Sequence, residues 1–422
     1  MAFKIPTAKL PTKRNPDLSN YVVALDIGTE YVKALVAHLD GDKLEIVGVG
    51  RSHQDPSDMQ SGAIADISGV VHNCEMALAT AEEQAGIRAK KVVIGIAGEL
   101  VKGATNTIRY KRPRADKELD EAEMNYIIDK VHERAREKAQ RQVALETGTP
   151  EVEVRLVNSA IVNIYIDGYK VSNPIGFQGR DVAIQIYTAF APMVHIGALE
   201  RTATELDLEL MAVAAEPFAV SRSVLGTDAS STLTAILVDV GGGTTDIAVV
   251  NDGGVQGTKM FGIGGRSFTR TIMTDLEVSY ENAEKLKLNI GHEQIKPSIA
   301  QQVDQSVNKT LEVWKSGVEL ALEEFDQLDH LPRRILLCGG GASLKALTDS
   351  LDDEWYKALP FTRKPTVELI QPSEVEGITD TTGEANDHTY ITAMGLLRVG
   401  YDTMVGASGD TIKDKLNRIL RI

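Results

Sequence analysis

The sequence predicts a duplicated, two-lobed α/β fold, because two stretches have nearly the same layout. They are YVVALDIGTEYVKALVAHLDGDKLEIVGVG at 21–50 and LTAILVDVGGGTTDIAVVNDGGVQGTKMFGIGG at 233–265. Each is an apolar strand ending in Asp, a Gly/Thr turn, a second apolar strand, a Gly/Asp turn and a third strand. A chain of 422 residues has room for two or more domains, so one such hairpin set per lobe is the natural division. The turns also have the chemistry of phosphate sites. Glycine permits close backbone approach, and successive peptide N–H groups converge on an anion. The carboxylates at the strand ends, Asp26 and Asp239, suit a hard cation such as Mg²⁺ held through its water shell.

The remaining elements follow in order. Residues 1–19 are basic and Pro-containing without the apolar core of a signal peptide, and read as a flexible arm. After the first hairpin set, Val70–Glu83 has helical apolar spacing and KVVIGIAG at 91–98 reads as a buried strand, completing a first lobe over 20–101. Residues 102–191 differ in character. A strand at 102–112 precedes a highly charged helix at 116–145, with apolar Met124, Ile127, Ile128, Val131 and Ala135 at helical spacing. Two strands, EVEVRLVNSAIV and NIYIDGYKV, and a third at 181–191 complete a strand–helix–strand insertion. Residues 192–230 return to the first lobe through a helix at Met193–Leu206 and a small-residue helix near Pro217. The second lobe occupies 231–265 and 331–401, split by a helical subdomain at 266–330 that includes a long helix at Ser298–Phe325. A core helix at 386–401, a linker at 402–410 and an amphipathic helix at 411–422 end the chain.

Composition excludes several classes. Lys and Arg total 45 against 60 Asp and Glu, a net charge of −15, which argues against nucleic acid as a partner. The two cysteines, Cys74 and Cys338, lie in apolar contexts and read as reduced core thiols. No histidine has another three or four residues away, so no helical zinc pair is present. No apolar run approaches the roughly 20 residues of a membrane span.

Three glycine motifs carry the chemistry. DIGTEYVK at 26–33 is compatible with a plain hairpin turn or with a phosphate loop, in which Lys33 reaches back to the anion. DVGGGTTD at 239–246 favours the phosphate reading, because three consecutive glycines weaken a strand unless something needs the close approach. It is neither a P-loop nor a dinucleotide fingerprint, since the Lys spacing is absent and a strand follows. CGGGASLKAL at 338–347 is followed by a helix start. It suits either approach to a base and ribose or an ordinary strand–helix turn.

The order of these motifs resembles the actin-like ATPase superfamily. The fold implied is the actin-like two-lobe ATPase fold of duplicated RNase H-like domains. By this resemblance Gly28, Thr29 and Lys33 belong to a first phosphate loop and Gly241, Gly242, Gly243 and Thr244 to a second. Gly339, Gly340, Gly341, Ala342 and Ser343 belong to an adenosine motif, and Glu284 and Lys287 of ENAEKLKLNIG touch the ribose; an i,i+3 ion pair on an amphipathic helix is the alternative for the latter two. Glu216, in the first interlobe connection, positions the attacking water, and Asp26 and Asp239 serve Mg²⁺. ATP and Mg²⁺ are the implied cofactors, with at most slow hydrolysis.

The insertion narrows the resemblance. Leaving after IGIAGE and ending near DVAIQIYTAFAP, it is similar to the extra subdomain of the bacterial cell-division FtsA family, including the Asn-Pro-Ile-Gly turn at 173–176. That family implies self-assembly into an actin-like polymer, a tubulin-like partner (FtsZ) with other division proteins, and a peripheral location on the inner face of the membrane at the division site. The tail fits such an anchor. Ile412, Leu416, Ile419 and Leu420 share one helical face, with Lys413, Asn417, Arg418 and Arg421 opposite, as an anionic membrane surface requires; a helix docked on the body is the other reading. The linker is shorter than is usual in the family. Two further readings remain open: a PilM-like type IV pilus assembly protein, and a small-molecule kinase of the same superfamily.

Overall fold

The computed structural model describes residues 18–225, 232–290 and 296–407. The expected amphipathic helix at 411–422 and nearly all of the N-terminal arm lie outside the described residues.

The first sheet is built on β1 (Tyr21–Ile27), where Val22 to Ile27 are all buried. Such a continuous apolar run marks a strand covered on both faces. It pairs antiparallel with β2 (Tyr31–Asp40) and parallel with β6 (Lys91–Ile96). β3 (Lys43–His53) continues from β2, and a small hairpin of β4 (Met59–Gln60) and β5 (Ala63–Ile64) leads to α1 (Ile67–Ala85). Asp66 caps α1 by accepting from the Ser68 N–H.

The insertion comprises β7 (Lys102–Lys111), α2 (Glu121–Thr147), β8 (Val154–Ile166), β9 (Tyr169–Val171) and β10 (Asp181–Pro192). The α2 stripe of Met124, Ile127, Ile128 and Val131 packs on Ile164, Ile166, Val182, Ile184 and Ile186 of the strands. Burying each α2 member contributes about 1.5–3 kcal/mol, against tenths for a surface ion pair. The apolar stripe, not the charge, holds this helix. The two strands expected over 151–171 are instead one long strand, β8, and the short β9.

After α3 (Met193–Glu205), β11 (Glu209–Ala215) joins the first sheet and α4 (Glu216–Leu225) leaves it. The second lobe repeats the first. β12 (Ala235–Val240), buried throughout, pairs antiparallel with β13 (Thr245–Asn251) and parallel with β15 (Arg334–Cys338). β14 (Gly254–Phe261) follows β13. Between β14 and β15 lie α5 (Gly265–Leu276), α6 (Tyr280–Leu288) and α7 (Pro297–Glu323). Then come α8 (Lys345–Leu351), β16 (Thr366–Leu369), β17 (Ile378–Asp380) and α9 (Ile391–Ala407). The strand orders β11-β6-β1-β2-β3 and β16-β15-β12-β13-β14 are the same topology twice, which is the duplication seen in the hairpins.

Three expectations are corrected. Residues 331–401 do not all join the second lobe: β17 extends the first sheet beside β3, and α9 packs on the first-lobe core, where Ile391, Leu396 and Leu397 are buried. Residues 402–407 are not linker but continue α9, where Asp402 takes the Arg222 guanidinium. The insertion is also not confined to the first lobe, because β7 pairs with β14 and fuses both sets of strands into one nine-stranded sheet.

Candidate functional site

The two hairpin turns face each other across a cleft of about 480 Å³, within the size range of small-molecule sites. Asp26 and Asp239 are the penultimate residues of β1 and β12, so the repeated topology itself brings both carboxylates to one place. Gly28, Thr29, Glu30, Gly241 and Gly242 form part of the wall. Gly28 N–H and Gly241 N–H close their own turns on Tyr31 and Thr244 carbonyls. The N–H groups of Thr29, Glu30, Gly242 and Gly243 have no hydrogen-bond partner among the described residues. Free N–H groups in two opposed turns are what a polyphosphate needs.

Lys33 returns from β2 to place Nζ 3.1 Å from Asp26 Oδ2. Burial alone would lower its ammonium, yet Asp26 and then Asp239 hold it above the ordinary lysine range. Four buried carboxyl groups surround this one cation: Asp26, Asp239, Asp246 and Glu216. Burial pushes Glu216 well above the usual carboxylate range, and Asp26, Asp246 and Asp239 push it further. Asp246 is raised strongly by burial and by Asp239. Asp239 is raised by burial, although the Thr392 hydroxyl donates to its Oδ2. Asp246 Oδ1 is buried with no hydrogen-bond partner.

The third glycine motif closes the cleft from the second lobe. Gly339 has φ +83°, and a Cβ there would fall 2.0 Å from Asp239 Oδ1, so only glycine fits beside that carboxylate. Gly340, Gly341 and Ser343 line the cleft, the last holding His388 Nε2 at 3.0 Å. Glu284 and Lys287 also line it, paired with each other at 2.8 Å and both bonded to the Thr269 hydroxyl. Leu288, Ile290 and Ala346 add an apolar stretch.

Two expected residues are not on this wall. Ala342 is buried in the second-lobe core with Ile335 and Leu347, because a short 3-10 turn, not an α-helix, follows the glycines and points it inward. Gly243 faces an adjoining pocket of about 220 Å³ with Thr29 and Arg266.

Asp246, which flanks the second turn and is the carboxylate a small-molecule kinase would use as its base, is put in the cluster by its register opposite Asp239. Several other wall residues carry no signal in the sequence. Arg51 sits opposite Lys33 on β3, its guanidinium 3.5 Å above the Tyr31 ring. Thr392 and Asp387 arrive with the start of α9, a placement no local signal announces. Arg266 bonds Glu30 at 2.6 Å, tying the second lobe to the first turn.

Four carboxyl groups against one ammonium, with an unsatisfied oxygen among them, fit a site completed by additional positive charge. No group of three or more His, Cys, Asp or Glu among the described residues forms a ready cation cage.

Known proteins with related sequences and folds are the following. The family model for cell division protein FtsA matches residues 236–395. The FtsA of Pseudomonas aeruginosa is 25% identical over 409 residues, covering 90% of this chain and 89% of that protein. The FtsA of Enterococcus faecalis is 26% identical over 357 residues, covering 80% and 77%. Among solved structures, a PilM–PilN type IV pilus biogenesis complex superposes with a TM-score of 0.64 at 15% identity, over 90% of this chain and 98% of that one. MreB5 of Spiroplasma citri bound to ADP gives a TM-score of 0.50 at 13% identity, over 93% and 100%. The fold is therefore the actin-like one with its two lobes, and over residues 236–395 the chain matches the cell division protein FtsA family.

Proposed function

We propose that this protein binds ATP with Mg²⁺ between its lobes and serves cell division as an actin-like, self-assembling link between a tubulin-like filament (FtsZ) and the inner face of the membrane. One observation carries the nucleotide part: two turns with unpaired N–H groups oppose each other over a buried carboxylate cluster that holds a single lysine. The turns receive the phosphates, with Lys33 as the fixed positive charge beside them. Gly339–Ser343, Glu284 and Lys287 receive the nucleoside. Asp26 and Asp239 would hold the cation, which would supply the charge that neutralises the polyphosphate.

Glu216 orients the attacking water. Burial and the neighbouring Asp26, Asp246 and Asp239 carboxyl groups raise Glu216 well above the usual carboxylate range, which disfavours its ionised form in the free protein, and slow hydrolysis is the expectation. The relatives' names support the division role, and a structural neighbour with bound ADP supports nucleotide in this cleft. The tail at 411–422 supports membrane contact by its sequence. Burying four aliphatic side chains at about 1.5–3 kcal/mol each, less ordering costs, gives weak binding that polymerisation strengthens by avidity.

Two measurements test this. ATP is expected to be retained in a filter assay only with Mg²⁺; no retention would sink the nucleotide reading. Full-length protein is expected to sediment with anionic vesicles and a 1–410 truncation to stay in solution. Equal behaviour of the two would remove the anchor and favour a PilM-like role, in which a membrane partner supplies the attachment.

A further inference from the structure

Two buried contacts run from the insertion to the turn that carries Glu216. On β8, the Asn158 side-chain oxygen accepts from the Ala215 N–H at 2.8 Å, one residue before Glu216. On β10, Tyr187 is wholly buried, and its ring stacks on Phe218 of α4 at 5.4 Å and 3°. Its hydroxyl bonds the Thr258 hydroxyl of β14 at 3.1 Å. Gly103 on β7 makes this junction possible, since a Cβ there would fall 1.9 Å from Thr258 Oγ1 and 2.6 Å from the Tyr187 oxygen. Insertion, interlobe helix and second-lobe strand thus meet around one tyrosine.

The insertion's own core does not use these groups; it is built from α2 and the aliphatic residues of β8 and β10. Aliphatic contacts would join the domains with loose geometry. A buried amide and phenol must instead keep their partners in place or lose the bonds, which makes the junction directional. The Ala215 N–H has Asn158 as its fixed acceptor, so the start of α4, and with it Glu216, is set from the insertion. The β7–β14 pairing adds a second route from the insertion into the lobe that carries Asp239 and Asp246.

We propose that Asn158 and Tyr187 are positioning residues for the cleft, so that its nucleotide state and the conformation of the insertion are coupled. This rests on the nucleotide reading given above. Coupling of this kind is reciprocal: whatever shifts one site shifts the other by the same factor.

Hydrogen exchange of the full-length protein, with and without Mg²⁺ and a non-hydrolysable ATP analogue, tests it. In the wild type, nucleotide is expected to slow exchange at the turns 27–31 and 240–245, and about fivefold or more across 154–162 and 182–190. Asn158→Ala is expected to keep the slowing at the turns and lose it across the insertion. Tyr187→Phe keeps the ring stack and drops only the Thr258 bond, so it tests the same link with less risk to folding; it should weaken the insertion's response. In single-turnover hydrolysis both variants should lower the rate while analogue affinity stays within about twofold, a split that general loosening would not produce. Protected turns with an unresponsive insertion in the wild type would overturn the proposal, as would wild-type slowing in both variants. Turns that do not respond at all would instead overturn the nucleotide reading, and this inference with it.

Discussion

Asp246 shows how a single residue can be readable as a type and unreadable as a site. Its place after the triple glycine is plain in the sequence, but its register opposite Asp239 and its unpartnered Oδ1 are not. The raised carboxyl groups of Asp246, Asp239 and Glu216 fix the sign of a pH effect. Groups raised in the folded state bind more protons there than in the unfolded chain, so they stabilise at low pH and that stabilisation is lost as pH rises past the ordinary carboxylate value of about 4. Replacing Asp246 by Asn removes one such group. The melting temperature of Asp246→Asn without Mg²⁺ is expected to exceed that of the wild type by a margin that widens between about pH 5 and about pH 8. A flat or shrinking margin would contradict the cluster's electrostatics. Lys33→Met should act oppositely, costing about 3 kcal/mol in urea unfolding because Asp26 loses its buried partner.

The elements differ in how openly the sequence declares them. Both hairpin sets, α2 and α7 are legible because their apolar periods are long and unbroken. β4, β5 and β17 are two or three residues long and exist only because a partner strand is present. The crossing of α4 and α9 is likewise a matter of tertiary contact: a Cβ on Gly395 would fall 2.1 Å from the Ala219 carbonyl oxygen. Helix propensity alone favours Ala over Gly by about 1 kcal/mol, whereas overpacking costs about 1–3 kcal/mol. Gly395→Ala is therefore expected to destabilise, seen as a lower urea midpoint with unchanged slope; a raised midpoint would show that the helices can separate freely. At the start of α2, Asp120 accepts from the Glu123 N–H at 2.9 Å, and Asp120→Ala should lower the urea midpoint by removing that cap.

At the scale of the whole molecule, the lobes are joined by more than their connecting helices. Glu30 of the first turn takes Arg266 of the second lobe at 2.6 Å and His53 at 2.9 Å. Burial opposes ionisation of Glu30, but the Arg266 guanidinium and then His53 hold its carboxyl below the usual range. A lowered carboxyl stabilises above its unfolded value and loses that contribution as pH falls through the folded one. Glu30→Gln is expected to cost about 1.5–3 kcal/mol near neutral pH, with the difference from wild type vanishing toward about pH 3. Equal stability of the two at neutral pH would show that this bridge does not hold the lobes.

Sequence alone determined the local chemistry: two Asp-headed glycine hairpins, a third glycine turn, and the strand–helix–strand insertion, each written in contiguous residues whose period and turn types have few alternatives. Tertiary structure decided what those pieces meet. It placed β17 and most of α9 on the first lobe, turned Ala342 into the core, and joined the insertion to the second lobe through β7 and β14. The physical reason is the range of the interactions. Turn propensity and apolar period act over a few neighbours, whereas the Asp239–Asp246–Glu216 cluster and the Tyr187–Phe218 stack depend on pairs that only sheet register and helix crossing bring together.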